Sequence, residues 1–326
     1  MSSKAIIQEL LCPVCQAPAS STGIALYDDR YGFPGTFNLL QCTTCKHTFI
    51  DAAFSSDDLK KLYTEYYPRS SYNLATHCPH GKISWIKSWI TGAQSLAFRW
   101  VAPDVRVLDI GCGFGEALGY HRSRGCDAYG VEADENVAKA AEKFGYNIRV
   151  GLFDSSLYEK AWFDYVTMDQ VIEHVSNPVE MLADVGKVLK PGGLLVMSTP
   201  NPEGWGARIF GSYWAHWHIP YHQHFFSHAS MLITADRAGF ELVSGKTVTH
   251  SCWLRYQWAH LFSRPRLGTP SPFWSPKIRN SQIDKFVFGA LRLMHYSLFN
   301  HLVTRFADIC NVGDNRIFVF RKKQII

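Results

Sequence analysis

Val105-Arg106-Val107-Leu108-Asp109-Ile110-Gly111-Cys112-Gly113-Phe114-Gly115-Glu116 is the stretch on which the fold turns. Its first half is a short apolar run of the kind a buried strand requires. Three glycines at alternate positions then allow a sharp turn and let a ligand lie against bare main chain before a helix begins. A dinucleotide fingerprint would place a third small residue at 116, where Glu116 stands instead. A carboxylate there opposes a pyrophosphate drawn to the same positive helix end. The turn therefore suits a ligand without phosphates. At the end of the next expected strand, residues 128–132, Glu132 lies 19 positions past Gly113, placed to accept hydrogen bonds from the two hydroxyls of a ribose. Strand, loop, helix and strand in that order point to an adenosine.

Outward from this unit, short apolar runs at 147–150, 165–168 and 194–198 predict further strands, and residues 116–123, 136–144, 181–189 and 229–238 predict helices around them. The fold class is α/β, a doubly wound, Rossmann-like, mostly parallel sheet with its ligand outside the carboxyl ends of the strands. Pro103-Asp104 marks where this domain begins. Ahead of it, apolar residues at helical spacing over 83–100 predict one helix. Residues 57–67, capped near Ser56 and stopped before Pro68, predict another.

The amino-terminal part carries metal chemistry. Of nine cysteines, Cys12-Pro13-Val14-Cys15 and Cys42-Thr43-Thr44-Cys45 form two C-x-x-C pairs separated by 26 residues. Each pair suits a knuckle that aims two sulfurs at one point, and two knuckles complete a tetrahedron of thiolates around a structural zinc ion, Zn2+. Gly32, Pro34 and Gly35 suit the tip of an enlarged hairpin between them. A redox dithiol needs only one pair. The chain thus divides into a zinc ribbon (1–56), a helical linker (57–103) and a main domain (104–326).

With 326 residues, 47% hydrophobic and 19% charged, the chain can bury a core and is neither disordered nor collagen-like. It has no run of about 18 uncharged apolar residues, and Met1-Ser2-Ser3-Lys4-Ala5 leads into no apolar signal core, so a cytoplasmic location is expected. Residues 240–326 hold 13 Lys and Arg against 4 Asp and Glu, while the remainder is net negative. That surplus is either a solvated face or an attraction for anionic lipid, nucleic acid or a phosphorylated substrate.

Over roughly 105–240 the sequence resembles the class I S-adenosylmethionine-dependent methyltransferases. Leu108-Asp109-Ile110-Gly111-Cys112-Gly113-Phe114-Gly115 is similar to their first motif, and Gly130-Val131-Glu132-Ala133-Asp134 to their ribose-binding acidic loop. Phe163-Asp164-Tyr165-Val166-Thr167-Met168-Asp169-Gln170-Val171-Ile172-Glu173-His174-Val175 resembles their fourth-strand motif. Leu189-Lys190-Pro191-Gly192-Gly193-Leu194-Leu195-Val196 resembles their turn and fifth strand. The chain also resembles, in that family, bacterial enzymes that join an amino-terminal zinc ribbon to this domain. The resemblance implies a seven-stranded sheet with sixth and seventh strands at 241–248 and 316–321, the seventh antiparallel, and S-adenosyl-L-methionine as cofactor. It places Asp109 and Gly111 along the methionine moiety, Glu132 on the ribose, and Phe153-Asp154 about the adenine, with Asp154 on the exocyclic amine. Gly113, Gly115 and Asp169 complete the implied cofactor-binding set.

Methyl transfer from a sulfonium needs an acceptor aligned behind the methyl carbon and, for a hydroxyl, a base. His174, just past the fourth strand, suits that task, or else packs as a helix-start residue that titrates nothing. Some relatives with Glu-x-x-Glu-His here resemble metal-assisted enzymes; Gln170 replaces the first carboxylate, which weakens that reading. Within an aromatic loop, 200–227, Pro220-Tyr221-His222-Gln223-His224-Phe225-Phe226-Ser227 is similar to the family's Pro-x-His preceding Phe-Ser. His222 is the expected substrate-facing base and His224 the second candidate, unless both satisfy local backbone groups. An insertion at 250–313, with an apolar helical pattern over 283–306, is a lid, a membrane-surface face or core packing. The expected reaction is methyl transfer to oxygen or carbon of a small-molecule acceptor, lipid-linked, glycan or quinone-like. One rival is an RNA methyltransferase, disfavoured because Arg30 is the sole Lys or Arg in 12–45. Another is a non-catalytic cofactor-binding scaffold.

Overall fold

The computed structural model describes residues 10–52, 54–55, 58, 61–67 and 74–324. Eleven strands are formed among them: β1 (Ala19–Leu26), β2 (Phe37–Cys42), β3 (Thr48–Ile50), β4 (Arg106–Ile110), β5 (Asp127–Glu132), β6 (Asn147–Val150), β7 (Phe163–Asp169), β8 (Leu189–Pro200), β9 (His224–Phe225), β10 (Phe240–Thr247) and β11 (Asn315–Lys322). Seven of these make the main sheet in the order β10-β11-β8-β7-β4-β5-β6. The strands from β6 to β8 pair in parallel, and β11 runs antiparallel to both neighbours, as the resemblance implies. Strand order reverses beside β4, which opens a crevice at the carboxyl ends of β4 and β5. Val107, Leu108, Val166, Met168, Leu195 and Met197 on the central strands are fully buried, because helices cover both faces.

The helices are α1 (Trp85–Thr91), α2 (Glu116–Arg122), α3 (Val137–Phe144), α4 (Pro178–Val188), α5 (Trp205–Phe210), α6 (His228–Arg237), α7 (Cys252–Phe262), α8 (Gln282–Tyr296) and α9 (Phe299–Ile309). The single helix expected over 83–100 is broken. α1 ends at Gly92, φ 71°, where any Cβ would lie 2.0 Å from the Thr249 carbonyl oxygen. The chain continues through 3-10 turns at Ala93–Ser95 and Ala97–Trp100. The apolar pattern over 283–306 is likewise split, by Leu298 at φ 72°, into α8 and α9. Of the helix expected over 57–67, residues 57, 59 and 60, with its expected cap at Ser56, lie outside the described residues, and Leu62–Tyr66 winds as a π turn.

The ribbon and the main domain share a sheet. β9, from the aromatic loop, pairs antiparallel with β3, setting Thr48 opposite Phe225 and Phe49 opposite His224. It thereby completes a second sheet, β1-β2-β3-β9. Ser227 Oγ donates to the Cys45 carbonyl at 2.7 Å. Cys12, Val14, Cys42 and Cys45 lie in one apolar cluster with Phe226 and Met231.

A buried acid ties the aromatic loop to β11. The Gly206 N–H donates to Asp314 Oδ1 at 2.8 Å, and burial, reinforced by Asp308 and only partly offset by that hydrogen bond, pushes Asp314 up to about 7. An acid with a raised folded pKa contributes stability that is full below its unfolded value of about 3.9 and lost as pH climbs through the folded one. Asp314→Asn mimics the protonated acid, so melting curves should show the variant gaining on wild type between about pH 4 and 7 and holding a constant lead above that. Parallel pH profiles would show instead that Asp314 ionises normally.

Candidate functional site

The first motif forms a cradle. Gly111, Gly113 and Gly115 have φ of 74°, 53° and 86°, a region that side-chain-bearing residues rarely adopt. The Gly111 and Cys112 N–H groups both donate to the Val131 carbonyl, at 2.8 and 3.2 Å, which fixes the turn to β5. A Cβ at Gly111 would stand 2.5 Å from Val171 Cγ2 and one at Gly115 2.6 Å from the Tyr146 ring, yet one at Gly113 would meet nothing within 4 Å. Bare main chain therefore opens at Gly113. Across the crevice, the Glu132 carboxylate accepts from the Gly113 N–H at 3.1 Å and the Asp134 N–H at 3.2 Å.

The other residues of the implied cofactor set fall into three situations. Asp109, buried at the end of β4, accepts from Thr167 Oγ1 at 2.6 Å. Burial, with the charges of Asp169 and Glu132 and despite that hydrogen bond, pushes it up to about 7. Asp169 accepts from the Ala97 N–H at 2.7 Å and Ser198 Oγ at 2.6 Å, so its carboxylate pins the 97–100 turn to the sheet. Phe153 packs on Tyr158, while exposed Asp154 caps its own turn by accepting from the Ser156 N–H at 2.8 Å. An open backbone at Gly113 facing a carboxylate at the end of β5 fits S-adenosylmethionine.

Beyond β7 a second cluster gathers. Gln170, at φ 54°, turns away from it, its amide donating to Ser198 Oγ at 3.0 Å and Asn315 Oδ1 at 2.9 Å. Glu173, fully buried, accepts from Thr199 Oγ1 at 3.1 Å on one oxygen and has no partner on the other. Burial pushes it up to about 8, so it is protonated at neutral pH. His174 Nδ1 lies 2.9 Å from the Tyr221 carbonyl and His222 Nδ1 2.8 Å from the His216 carbonyl. A carbonyl only accepts, so both Nδ1 atoms carry the proton and both Nε2 atoms are the acceptors. The two rings meet edge to face with centroids 4.7 Å apart. Burial, then the neighbouring His174, hold His222 well below the ordinary histidine value, so it stays neutral. Ligand-type atoms of Glu173, His174 and His222 all lie within 4.8 Å of one another, a set that can move a proton or hold a divalent cation.

The structure thus brings His174 and His222 together, and sets His224 elsewhere. On β9, His224 Nδ1 lies 3.0 Å from His47 Nε2 in the seam with the ribbon, and burial lowers it to about 4. Sequence reasoning weighed Glu173 only within the Glu-x-x-Glu-His pattern, discounted for its Gln170, and missed that His222 joins Glu173 and His174 in one cluster. It also missed an aromatic wall. Tyr31 of the ribbon, with Tyr63 and Tyr67, surrounds Tyr221 at centroid distances of 5.5, 5.8 and 5.2 Å. Nothing local in the sequence joins residues so far apart.

In the ribbon, Cys12 and Cys45 sulfurs are 3.7 Å apart, and Cys15 lies 3.4 Å from both Cys42 and Cys45. Zn–S bonds of about 2.3 Å give tetrahedral edges of about 3.8 Å. Backbone N–H groups of Val14, Thr44 and Cys45 point at the knuckle sulfurs at 3.4 Å, as thiolates require. The four cysteines fit zinc.

The sequence profile of a family described as a methyltransferase domain matches residues 69–245. Ubiquinone biosynthesis O-methyltransferases of Maricaulis maris (strain MCS10) and Roseobacter denitrificans (strain ATCC 33942 / OCh 114) are 34% and 35% identical over 147 and 141 residues. Those matches cover 41% and 40% of this chain, and the chain spans only 58% and 57% of the length of these curated relatives. The solved phosphoethanolamine N-methyltransferase 2 of Haemonchus contortus, in complex with S-adenosyl-L-methionine, overlays with a TM-score of 0.49 at 16% identity, covering 85% of this chain and 62% of that one.

Proposed function

This chain belongs to the methyltransferase-domain family, and from that premise we propose that it transfers the methyl group of S-adenosyl-L-methionine to an oxygen of a small, quinone-like acceptor, with a structural zinc ion held by Cys12, Cys15, Cys42 and Cys45. The observation that carries the reading is the bare backbone at Gly113 facing Glu132 at 3.1 Å across the carboxyl ends of β4 and β5. The names of the curated relatives support oxygen as the methylated atom and a quinone precursor as the acceptor class.

Bound S-adenosylmethionine supplies a methyl group on an already activated sulfur. Glu132, which accepts from the Gly113 and Asp134 N–H groups, would hold the ribose hydroxyls. His174 Nε2 takes the proton from the acceptor hydroxyl, because its Nδ1–H is fixed on the Tyr221 carbonyl and its ring is less buried than that of His222. His222 braces that ring edge-on, and Tyr31, Tyr63 and Tyr67 pack around Tyr221, whose carbonyl orients it. The 4.8 Å grouping of Glu173, His174 and His222 supports a second reading, in which a divalent cation there acidifies the acceptor hydroxyl. Stimulation of turnover by added Mg2+ or Mn2+ selects that reading.

Glu132→Ala should weaken S-adenosylmethionine binding by about 1–3 kcal/mol in calorimetry, as for a lost hydrogen bond to a charged group. Unchanged affinity rejects the ribose assignment. Release of S-adenosylhomocysteine with ortho-dihydroxylated phenols, and none without acceptor, tests the reaction itself.

A further inference from the structure

Three helices leave apolar faces uncovered. Phe286 and Leu293 of α8 are 77% and 72% exposed, Leu302 and Phe306 of α9 66% and 70%, and Trp85 and Trp89 of α1 77% and 51%. α9 packs against both α8 and α1, so these faces belong to neighbouring helices. On α8 the exposed positions 283, 286, 290 and 293 form one stripe, and 299, 302, 306 and 309 repeat its spacing on α9. Of the 24 large apolar side chains most exposed among the described residues, 11 lie on these three helices. A stripe of that width ordinarily faces a core; here it faces outward.

Its borders are cationic. Lys82 precedes α1 and Lys87 stands exposed on it, and Lys285 and Arg292 stand exposed on α8. The acids of these helices are engaged elsewhere. Asp284 accepts from Ser281 at the start of α8, and Asp308 pairs with Arg305 at 2.8 Å and accepts from the Thr249 N–H. A second copy docking through the same face would set these cations against their own images, and like charges at an isologous contact repel. An anionic bilayer meets both demands: apolar side chains enter the acyl boundary, basic ones reach lipid phosphates, and tryptophans sit at headgroup depth.

We propose that the α1–α8–α9 face docks on the surface of an anionic lipid bilayer. No described helix is long and apolar enough to cross a membrane, so the helices lie along it. The inference is independent of the acceptor assignment.

Co-sedimentation of the full chain with vesicles of phosphatidylcholine, alone or with about 30% phosphatidylglycerol, tests it. Wild type should pellet with the anionic vesicles, and Phe286→Asp/Leu302→Asp/Phe306→Asp should bind at least about 10-fold more weakly. Lys285→Glu/Arg292→Glu should lose the preference for phosphatidylglycerol. All these side chains are exposed, so circular dichroism and S-adenosylmethionine affinity should match wild type. Wild type remaining in the supernatant, or the triple-aspartate variant pelleting equally, overturns the proposal. So does a wild-type dimer in analytical ultracentrifugation that the triple variant abolishes, since a second copy would then be the occupant.

Discussion

His174→Ala is expected to lower turnover by about 10²–10⁴-fold while S-adenosylmethionine binds as before, the range for removal of a positioned general base. The ring is oriented before any ligand arrives. Its Nδ1–H is held by the Tyr221 carbonyl, which leaves Nε2 as the atom that can take a proton, and His222 packs edge-on against it. The acidic limb of the pH–rate profile should vanish in the variant, because the ring that takes the proton is gone. His222→Ala should cost less, since His222 acts by holding His174. If turnover falls more in His222→Ala than in His174→Ala, the two roles are exchanged; if neither variant loses activity, the acceptor needs no base from this cluster.

Cys42→Ser should abolish stoichiometric zinc, measured by atomic emission, and reduce turnover by about 10²-fold or more, with donor affinity retained. The reasoning runs through β9. Loss of a structural zinc unfolds small metal-stapled modules, whose binding free energy is largely folding free energy. This ribbon supplies the partner strand for His224-Phe225, accepts the Ser227 hydroxyl on Cys45, and packs Tyr31 against Tyr221. Loosening it should release residues 213–227, and with them the carbonyls of His216 and Tyr221 that set both histidine tautomers. The glycine cradle and Glu132 lie on β4 and β5, which pair within the main sheet. Hydrogen exchange should therefore rise over 213–227 and stay low over 105–132. Full activity in zinc-free protein would show that the ribbon is an appendage.

The central strands of the main sheet were legible because each carries a short apolar run, as Val107-Leu108 in β4 and Leu194 to Met197 in β8 do, while β10 and β11 followed from the resemblance; the four cysteines were legible because their spacing has few other uses. What remained hidden depends on tertiary approach. β9 has two residues, too few to show a period, and exists only because β3 lies beside it. Gly92 sits inside an unbroken helical spacing, and only the nearby Thr249 carbonyl reveals why the helix stops there. His224 was read as a site residue from a local motif, yet its partner is His47 across the seam. The apolar stripe over 283–306 was visible in sequence, but its outward direction was not.

The pairing of His47 with His224 spans 177 positions. During synthesis at about 5–20 residues per second, the cysteine knuckles emerge about 10–35 s before the strand that completes their sheet. For that interval β3 is an edge open to other nascent chains, and an ion held by the four sulfurs would help the β1-β2-β3 pairing keep the hairpin shut. If zinc is that ion, zinc-starved cells should accumulate this chain as aggregate, not as apoprotein.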